Sequence, residues 1–385
     1  MQALSEEDRV SLFLEKKYRY SKSFGTKQTY GHALKKFCEF LSSKYGLSIN
    51  DIVIRCEAKT LDPIVVLDNF YSYLSDCKQK NGIKGYSNAT ITTCIVAAKE
   101  FLNSQNLHIY NEDIKQKFRF PKKERPFEAG LTKEILVRLL HNSTPRLQTA
   151  ILICVSSGMR IGELVQLRIS DIDFSSNPTT IHLRKETTKT RESRFTCIST
   201  EATKSVKDYL RKKYGWSNGS SLDAYLFMNN KCDLSDPAEY DRKVRSAKST
   251  LVEALGLVVK SVPELSMKNE NARNSIHFHA FRAWFKTQVT NAHQSDFAEA
   301  LMGHKSIKLG YYRQNPKDRS KTYLEVEAAL TVSDFTTVEN TMEGLQRKVE
   351  FLTLELEKVK QEREISEKYH RVTVQDTTSL VVNEN

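Results

Sequence analysis

The first third of the chain carries apolar side chains three and four positions apart. Residues 21–45, 62–80 and 88–103 each show this helical spacing, and the lysines of the first segment fall mostly on its other faces. Asp62 stands where it can cap the second segment, and Pro63 follows at the first helical position. The pattern predicts a small helical bundle with a basic surface over residues 1–118.

A short basic segment separates this region from the rest of the chain. Residues 119–126 hold two prolines and four cationic side chains between two regions of regular apolar pattern, which predicts a linker over residues 119–128. The chain has 385 residues, whereas single hydrophobic cores stop growing at about 250–300 residues. We therefore expect two folded domains, over residues 1–118 and 129–330.

The second region mixes helical and strand-like patterns. A helix breaks and restarts at residues 158–164, while residues 179–183 and 194–198 alternate apolar and polar side chains around a polar turn at 185–192, which predicts a β-hairpin. Helical spacing predicts further helices, which cover residues 133–141 and 145–156 and begin again at Asp236, Ala280 and Asp296. The expected fold class is mainly α with a small β-sheet or hairpin.

The last part of the chain carries a heptad pattern. Its apolar side chains step alternately by four and three residues, at Val338, Met342, Leu345, Val349, Leu352, Leu356 and Val359. We predict a coiled-coil-like helix within residues 331–372, which either associates with another subunit or docks on its own chain. A flexible tail is expected over residues 373–385.

The charge of the chain favours a polyanionic partner. The net charge is +12, and residues 338–385 contribute −3 of it, so the remainder carries +15. Such a field attracts nucleic acid or an anionic membrane surface. No apolar run approaches the ~20 residues that span a bilayer, and 39% hydrophobic with 28% charged residues is typical of a soluble globular protein. Nucleic acid is therefore the expected partner.

The cysteines and the N-terminal residues indicate a location. Seven cysteines are scattered without any Cys-x-x-Cys spacing, which argues against a zinc ribbon or a disulfide framework. The first 20 residues are too charged for the apolar segment of a signal peptide. We expect an intracellular, reducing location, cytoplasmic or nucleoid-associated.

Several residues of the second region are of types that bind phosphate or move protons. Arg160 follows a glycine-containing turn that enters a helix, where its guanidinium can hold an anion in bidentate fashion, although an ordinary surface arginine would show the same pattern. His279 and Arg282 stand three residues apart and share a helical face. His304 follows Gly303, which permits close approach of the backbone, and it can donate to a phosphate or cap a helix.

Two further places complete this set. Lys185 and Lys189 both lie in the turn of the predicted hairpin, and Tyr311 and Tyr312 follow His304 closely. None of these residues is decisive singly, and tyrosines of this kind usually pack as part of a core. A pair of histidines at 277 and 279 lacks a third ligand at suitable spacing, so we expect no metal, and we expect no cofactor.

The ordered set matches what attack on a phosphodiester requires. Two arginines stabilise the negative charge of the transition state, a lysine protonates the departing alkoxide, and histidines assist proton transfer. A tyrosine that becomes covalently attached conserves the bond energy, so that the strand can be rejoined without ATP.

On these motifs the sequence resembles the tyrosine recombinase (phage-type integrase) family. Residues 157–164, 279–282 and 301–306 resemble the family's first arginine motif, its His-x-x-Arg box and its Gly-His motif, in the same order. Residues 129–330 carry most of the resemblance, and residues 1–118 fit the family's helical core-binding domain more loosely. The resemblance implies a helical core-binding domain joined to a mixed α+β catalytic domain.

The resemblance also implies the site and the reaction. The implied catalytic residues are Arg160, Lys189, His279, Arg282, His304 and Tyr312, with Lys185 as the alternative lysine, Tyr311 as the alternative nucleophile and Tyr323 as a more distant one. The tyrosine would form a 3′-phosphotyrosyl link to double-stranded DNA and free a 5′-hydroxyl, within a homo-oligomer that is tetrameric in the synapse. A type IB topoisomerase and a catalytically silent DNA-binding protein are the alternatives.

Overall fold

The computed structural model describes residues 6–77, 85–117, 130–217, 224–228, 235–268, 274–304 and 315–332, and the isolated helical residues Val349, Thr353, Leu356, Glu357 and Lys360. The chain forms two compact units, Met1–Phe127 and Glu128–Asn385. The predicted linker at 119–128 and the predicted tail at 373–385 lie outside the described residues. In these described segments, every helix is too short or too polar to span a bilayer.

The described part of the first unit is helical. Its helices are α1 (Glu6–Ser21), α2 (Phe24–Tyr45), α3 (Ile49–Glu57), α4 (Pro63–Asp76), α5 (Asn88–Ser104) and α6 (Asn111–Lys117). The rings of Phe37 and Phe40 pack on Phe70 with centroid distances of 5.0 and 5.1 Å, and all three are fully buried. Burial of aromatic rings from α2 and α4 against α5 therefore holds this bundle together.

Capping side chains explain where the helices of the first unit begin. Asp62 accepts a hydrogen bond from the backbone of Ile64 at 2.8 Å, so its predicted capping role is confirmed. The helix expected from residue 21 begins instead at Phe24, because Ser23 caps α2 and Lys22 has a φ of 50°. The apolar pattern also did not predict α3. This helix begins with a reciprocal capping box between Ser48 and Asp51.

The second unit surrounds a small sheet with helices. Its helices are α7 (Lys133–His141), α8 (Pro145–Ser157), α9 (Ile161–Val165), α10 (Thr200–Tyr214), α11 (Pro237–Ser261), α12 (Phe278–Asn291), α13 (Ser295–Met302) and α14 (Pro316–Leu330). Short 3-10 turns cover Ile169–Asp171 and Pro263–Leu265. The strands are β1 (Ile172–Asp173), β2 (Thr179–Leu183) and β3 (Arg194–Ile198). The predicted fold class, mainly α with a small β-sheet, is confirmed.

The sheet is antiparallel in the order β1-β2-β3. Thr179 pairs with Ile198 and Leu183 pairs with Arg194, so the predicted hairpin is confirmed with the same strand bounds. The third strand, β1, was not predicted because two residues are too few to show an alternating pattern. The register places Arg194 at the last pair before the turn.

Helix α8 is the centre of the second unit. It packs against α10, α12 and β3, and its apolar residues are buried around the whole helix. Gly158 ends it with a φ of 63°, and a Cβ there would stand 2.4 Å from the Phe285 ring. A side chain at this position would therefore meet both backbone strain and a clash. This tight turn at the end of α8 positions Arg160, which follows two residues later.

The predicted heptad helix falls mostly outside the described residues. Of its seam, Val349 and Leu356 are described, both in helical conformation and with 62% and 56% of their surfaces exposed. The prediction of a coiled-coil-like helix over 331–372 stays a prediction.

Candidate active site

Arg160 lies at the corner between α8 and α9. It is the N-cap residue of α9, and its backbone N–H donates to Oε2 of Glu163 at 2.9 Å. Its Nη1 donates to Oε1 of Glu163 at 3.2 Å, and 27% of the Arg160 side chain stays exposed. The guanidinium is thus held on one side and accessible on another, as an anion-binding group requires.

Glu163 is a buried carboxylate between two arginines. Arg194 donates to it with both terminal nitrogens, at 3.0 and 2.7 Å, and only 2% of the Glu163 side chain is exposed. Burial raises the pKa of this carboxyl, but the hydrogen bond and charge of Arg194, aided by Arg160, outweigh burial and lower its pKa overall. Glu163 is therefore ionised at neutral pH.

Arg194 also connects three elements. Its Nε donates to the backbone oxygen of Leu301 at 2.9 Å, which links β3 to the end of α13. A Cβ on Gly303 would stand 2.9 Å from Cδ of Arg194, and Gly303 has a φ of 66°. Sequence reasoning missed the roles of Glu163 and Arg194. Of these two residues, only Glu163 could have been recognised from the sequence, because it stands three residues after Arg160, which is the spacing of a capping box.

Arg282 is buried beneath this corner. Only 2% of its surface is exposed, although it is charged. Its Nη1 donates to the backbone oxygen of Gly158, and its Nη2 donates to that of Met302 at 2.8 Å. Burial lowers the pKa of the guanidinium to about 10, and the positive charge of Arg160 adds to this shift. Arg282 remains protonated at neutral pH and ties α12 to the ends of α8 and α13.

His304 meets Arg282 from the end of α13. Its Nε2 lies 2.9 Å from Nη2 of Arg282, and its Nδ1 contacts Oε2 of Glu299. Lys286 of α12 forms an ion pair with the other oxygen of Glu299. The structure thus brings together Arg282 and His304, two of the candidate site residues. Sequence reasoning did not identify Glu299 or Lys286, because neither belongs to a motif.

Three other candidate residues, His279, Lys185 and Lys189, have exposed side chains. His279 is exposed in the first turn of α12, one turn before the buried Arg282. His277 caps that helix, since its Nδ1 accepts from the backbone of Ala280 at 3.1 Å. Lys185 and Lys189 are both exposed between β2 and β3, so the structure does not choose between them.

The candidate nucleophiles Tyr311 and Tyr312 lie outside the described residues. Tyr323, the more distant candidate, is fully buried, and its hydroxyl donates to the backbone oxygen of Ser156 at 2.7 Å. Burial raises its pKa well above that of an ordinary phenol. Tyr323 is therefore a core residue of the second unit. Among the residues whose placement is described, no group of three His, Cys, Asp or Glu side chains could hold a metal ion.

The buried pair of Arg194 and Glu163 should contribute to the stability of the fold. Arg194→Met should lower the free energy of unfolding by about 3–5 kcal/mol, because it leaves the Glu163 carboxylate buried without its bidentate partner. Arg211→Met removes an exposed pair with Asp208 on α10 and should change that free energy by about 0.5 kcal/mol or less. Urea denaturation measures both. Equal effects of the two variants would contradict a stabilising role for the buried pair.

Charged side chains from α9, α12, α13 and β3 thus converge where α8 ends, an arrangement that can hold a phosphodiester and move protons beside it. Residues 130–318 match the phage integrase family. This stretch is just under half of the 385-residue chain, and it lies within the second unit.

Individual relatives are distant. Tyrosine recombinase XerC of Roseiflexus castenholzii is 24% identical to the chain over 220 residues, which cover 54% of this chain and 63% of XerC. The chain thus spans just under two thirds of the length of this curated relative. Among solved structures, XerH bound to a palindromic difH substrate is 20% identical and has a TM-score of 0.49, with 83% of this chain and 84% of that chain covered. A lambda integrase dimer bound to a COC′ core site is 14% identical and has a TM-score of 0.46, with 80% and 98% covered.

Proposed function

We propose that this protein is a site-specific DNA recombinase of the integrase type, which cleaves and rejoins double-stranded DNA through a 3′-phosphotyrosyl intermediate. The observation that carries the proposal is the meeting of two motif arginines at one corner. Arg282 hydrogen-bonds the carbonyl of Gly158, two residues before the partly exposed Arg160. The match of residues 130–318 to the phage integrase family supports the same reaction.

The chemistry assigns a role to each side chain. Arg160 and Arg282 bind the non-bridging oxygens of the scissile phosphate and stabilise the charge of the transition state. Tyr312 attacks the phosphorus, with Tyr311 as the alternative, and Lys189, with Lys185 as the alternative, protonates the departing 5′-oxygen. His279 and His304 assist proton transfer. Attack by the 5′-hydroxyl of a partner strand reverses the step and exchanges strands.

The test of this function is covalent trapping on DNA. The probe is a pool of nicked duplexes of randomised sequence, in which cleavage near the nick releases a short fragment and so prevents rejoining. A DNA adduct that survives denaturation with detergent supports the function, and its absence at every sequence would leave a catalytically silent DNA-binding protein. Relaxation of supercoils without exchange between two recovered sites would indicate a type IB topoisomerase activity.

We propose that residues 1–118 form a core-binding domain for DNA and that the +15 charge outside residues 338–385 supplies most of the affinity. The logarithm of the binding constant should therefore fall linearly with the logarithm of salt concentration, because each neutralised phosphate releases counterions. Titration of a labelled duplex at several salt concentrations measures the slope. A binding constant that does not change with salt concentration would exclude nucleic acid as the partner. An intracellular location agrees with such a partner.

We propose that the protein acts as a homo-oligomer on DNA, tetrameric in the synapse, and that the heptad segment contributes to assembly. Truncation after Thr337 should reduce cooperative assembly on two-site DNA, while cleavage of a nicked suicide duplex by the monomer stays measurable. Three heptads are few, so the isolated segment should associate only weakly. Gel mobility with one-site and two-site DNA provides the measurement. Unchanged assembly would assign the heptad pattern to packing within the subunit.

A further inference from the structure

The ring of His304 lies between two groups whose hydrogen-bonding roles are fixed. Its Nε2 lies 2.9 Å from Nη2 of Arg282, and its Nδ1 contacts Oε2 of Glu299. A guanidinium only donates hydrogen bonds, and an ionised carboxylate only accepts them. Both contacts are hydrogen bonds only if Nδ1 carries the proton and Nε2 keeps its lone pair. The surroundings therefore specify one tautomer of the neutral imidazole.

Glu299 is held as an ionised acceptor. Its side chain is 20% exposed, and Lys286 of the neighbouring helix α12 pairs with its other oxygen. Burial raises the pKa of this carboxyl, but hydrogen bonds from Lys286 and His304 outweigh burial and lower its pKa overall. The carboxylate is thus fixed from two sides and faces Nδ1 of His304 as an acceptor.

Arg282 fixes the other side of the ring. Its guanidinium is buried, and the backbone oxygens of Gly158 and Met302 hold it in place. The Nη2 group therefore lies at hydrogen-bond distance from Nε2 of His304. Because the same guanidinium is a proposed phosphate ligand, the lone pair of Nε2 lies next to the place of the reacting phosphate.

We propose that Glu299 is a positioning residue for DNA cleavage, which holds a proton on Nδ1 of His304 and so keeps Nε2 as a proton acceptor beside Arg282. This inference rests on the proposed function. As the tyrosyl oxygen bonds to phosphorus, the bond from phosphorus to the 5′-oxygen breaks. The Nη2 donor of Arg282 moves from Nε2 of His304 to a phosphate oxygen, and the tyrosyl proton passes to the lone pair of Nε2 that is freed in this way. The 5′-oxygen takes a proton from the ammonium of Lys189. Glu299 stabilises the resulting imidazolium.

The first test reads the tautomer directly. The full chain labelled with ¹⁵N-histidine should show the nitrogen shifts of an Nδ1-protonated ring for His304 in the absence of DNA. In Glu299→Gln the amide can either accept from Nδ1–H or donate to Nδ1, so both tautomers should appear. Assignment uses the signal lost in His304→Ala. An Nε2-protonated ring in the wild-type protein would overturn the inference, even if the variant failed to fold.

The second test is a double-mutant cycle on single-turnover cleavage of a nicked duplex recovered by covalent trapping. Glu299→Gln should slow cleavage about tenfold and leave DNA affinity unchanged, since the loss concerns proton transfer. In the His304→Ala background, the same change should have an effect of about twofold or less. An equal loss in both backgrounds would overturn the proposal.

A control separates this role from helix packing. Lys286→Met also removes an ion pair between α12 and α13, but its side chain is 46% exposed and the pair contributes little to stability. It should keep the wild-type tautomer and slow cleavage by about twofold or less. If Lys286→Met reproduces the loss of Glu299→Gln with the tautomer unchanged in both, Glu299 only packs helices. A wild-type protein without any adduct would instead refute the proposed function, and the reaction step would fall with it.

Discussion

Tyr312→Phe should abolish the covalent adduct with DNA and leave DNA affinity unchanged. The substitution removes one oxygen and keeps the ring and every cationic group, so the binding charge is preserved. Without a phenol oxygen no phosphotyrosyl bond can form, and the expected loss exceeds about 10³-fold in single-turnover cleavage. Trapping on a nicked duplex measures cleavage, and salt-matched titration measures affinity.

Tyr311→Phe is the matched control for this change. It alters the adjacent residue in the same way. This variant should still form the adduct, at an equal or reduced rate, because only one phenol can align with the breaking bond. Mass spectrometry of the DNA-linked peptide locates the attachment. Attachment at Tyr311 would reassign the nucleophile and preserve the mechanism, whereas full activity of the double variant Tyr311→Phe/Tyr312→Phe would refute a mechanism that uses either tyrosine.

Arg282→Lys should lower cleavage by about 10²–10³-fold with affinity for DNA changed much less. The guanidinium reaches two backbone oxygens, of Gly158 and Met302, and Nε2 of His304 from one planar group. An ammonium is a compact charge that cannot contact all of these groups at once and also bind a phosphate with parallel N–H groups. Because the residue is buried, the variant should also lose about 1–3 kcal/mol of unfolding free energy.

Arg160→Lys separates catalysis from folding. This side chain is 27% exposed, and the buried Glu163 keeps its bidentate bonds from Arg194 in the variant. Its unfolding free energy should therefore stay near that of the wild-type protein, while cleavage falls more than binding. Equal losses of cleavage and affinity in both arginine variants would mean that these residues contribute only to DNA binding.

The sequence alone predicted much of the fold of the second unit. The strands at 179–183 and 194–198 appear with the predicted bounds because alternation of apolar and polar residues is a local signal. Two elements were missed for different reasons: β1 has two residues, too few to show alternation, and α3 begins at a capping box that the apolar pattern does not mark. Boundaries shifted where a side chain capped the helix, as Ser23 does.

For the site, the sequence determined which residue types carry the chemistry and in which order they occur. It also indicated a helix restart at Arg160 and a close backbone approach at Gly303, because glycine turns are local features. It left open the choice between Lys185 and Lys189, and both remain exposed in the hairpin connection.

Which charges are buried, and what each one contacts, depends on how the helices and strands pack. Glu163 and Arg194 are 31 residues apart, and Arg282 lies 124 residues from its acceptor at Gly158. Contacts of such separation leave no periodic trace in a single sequence. The partnership of Glu299 with His304 is different, since the two are only five residues apart. It depends on the turn at Gly303 and on Lys286 and Arg282 from α12, and hydrogen bonds of fixed direction exist only once these elements have packed.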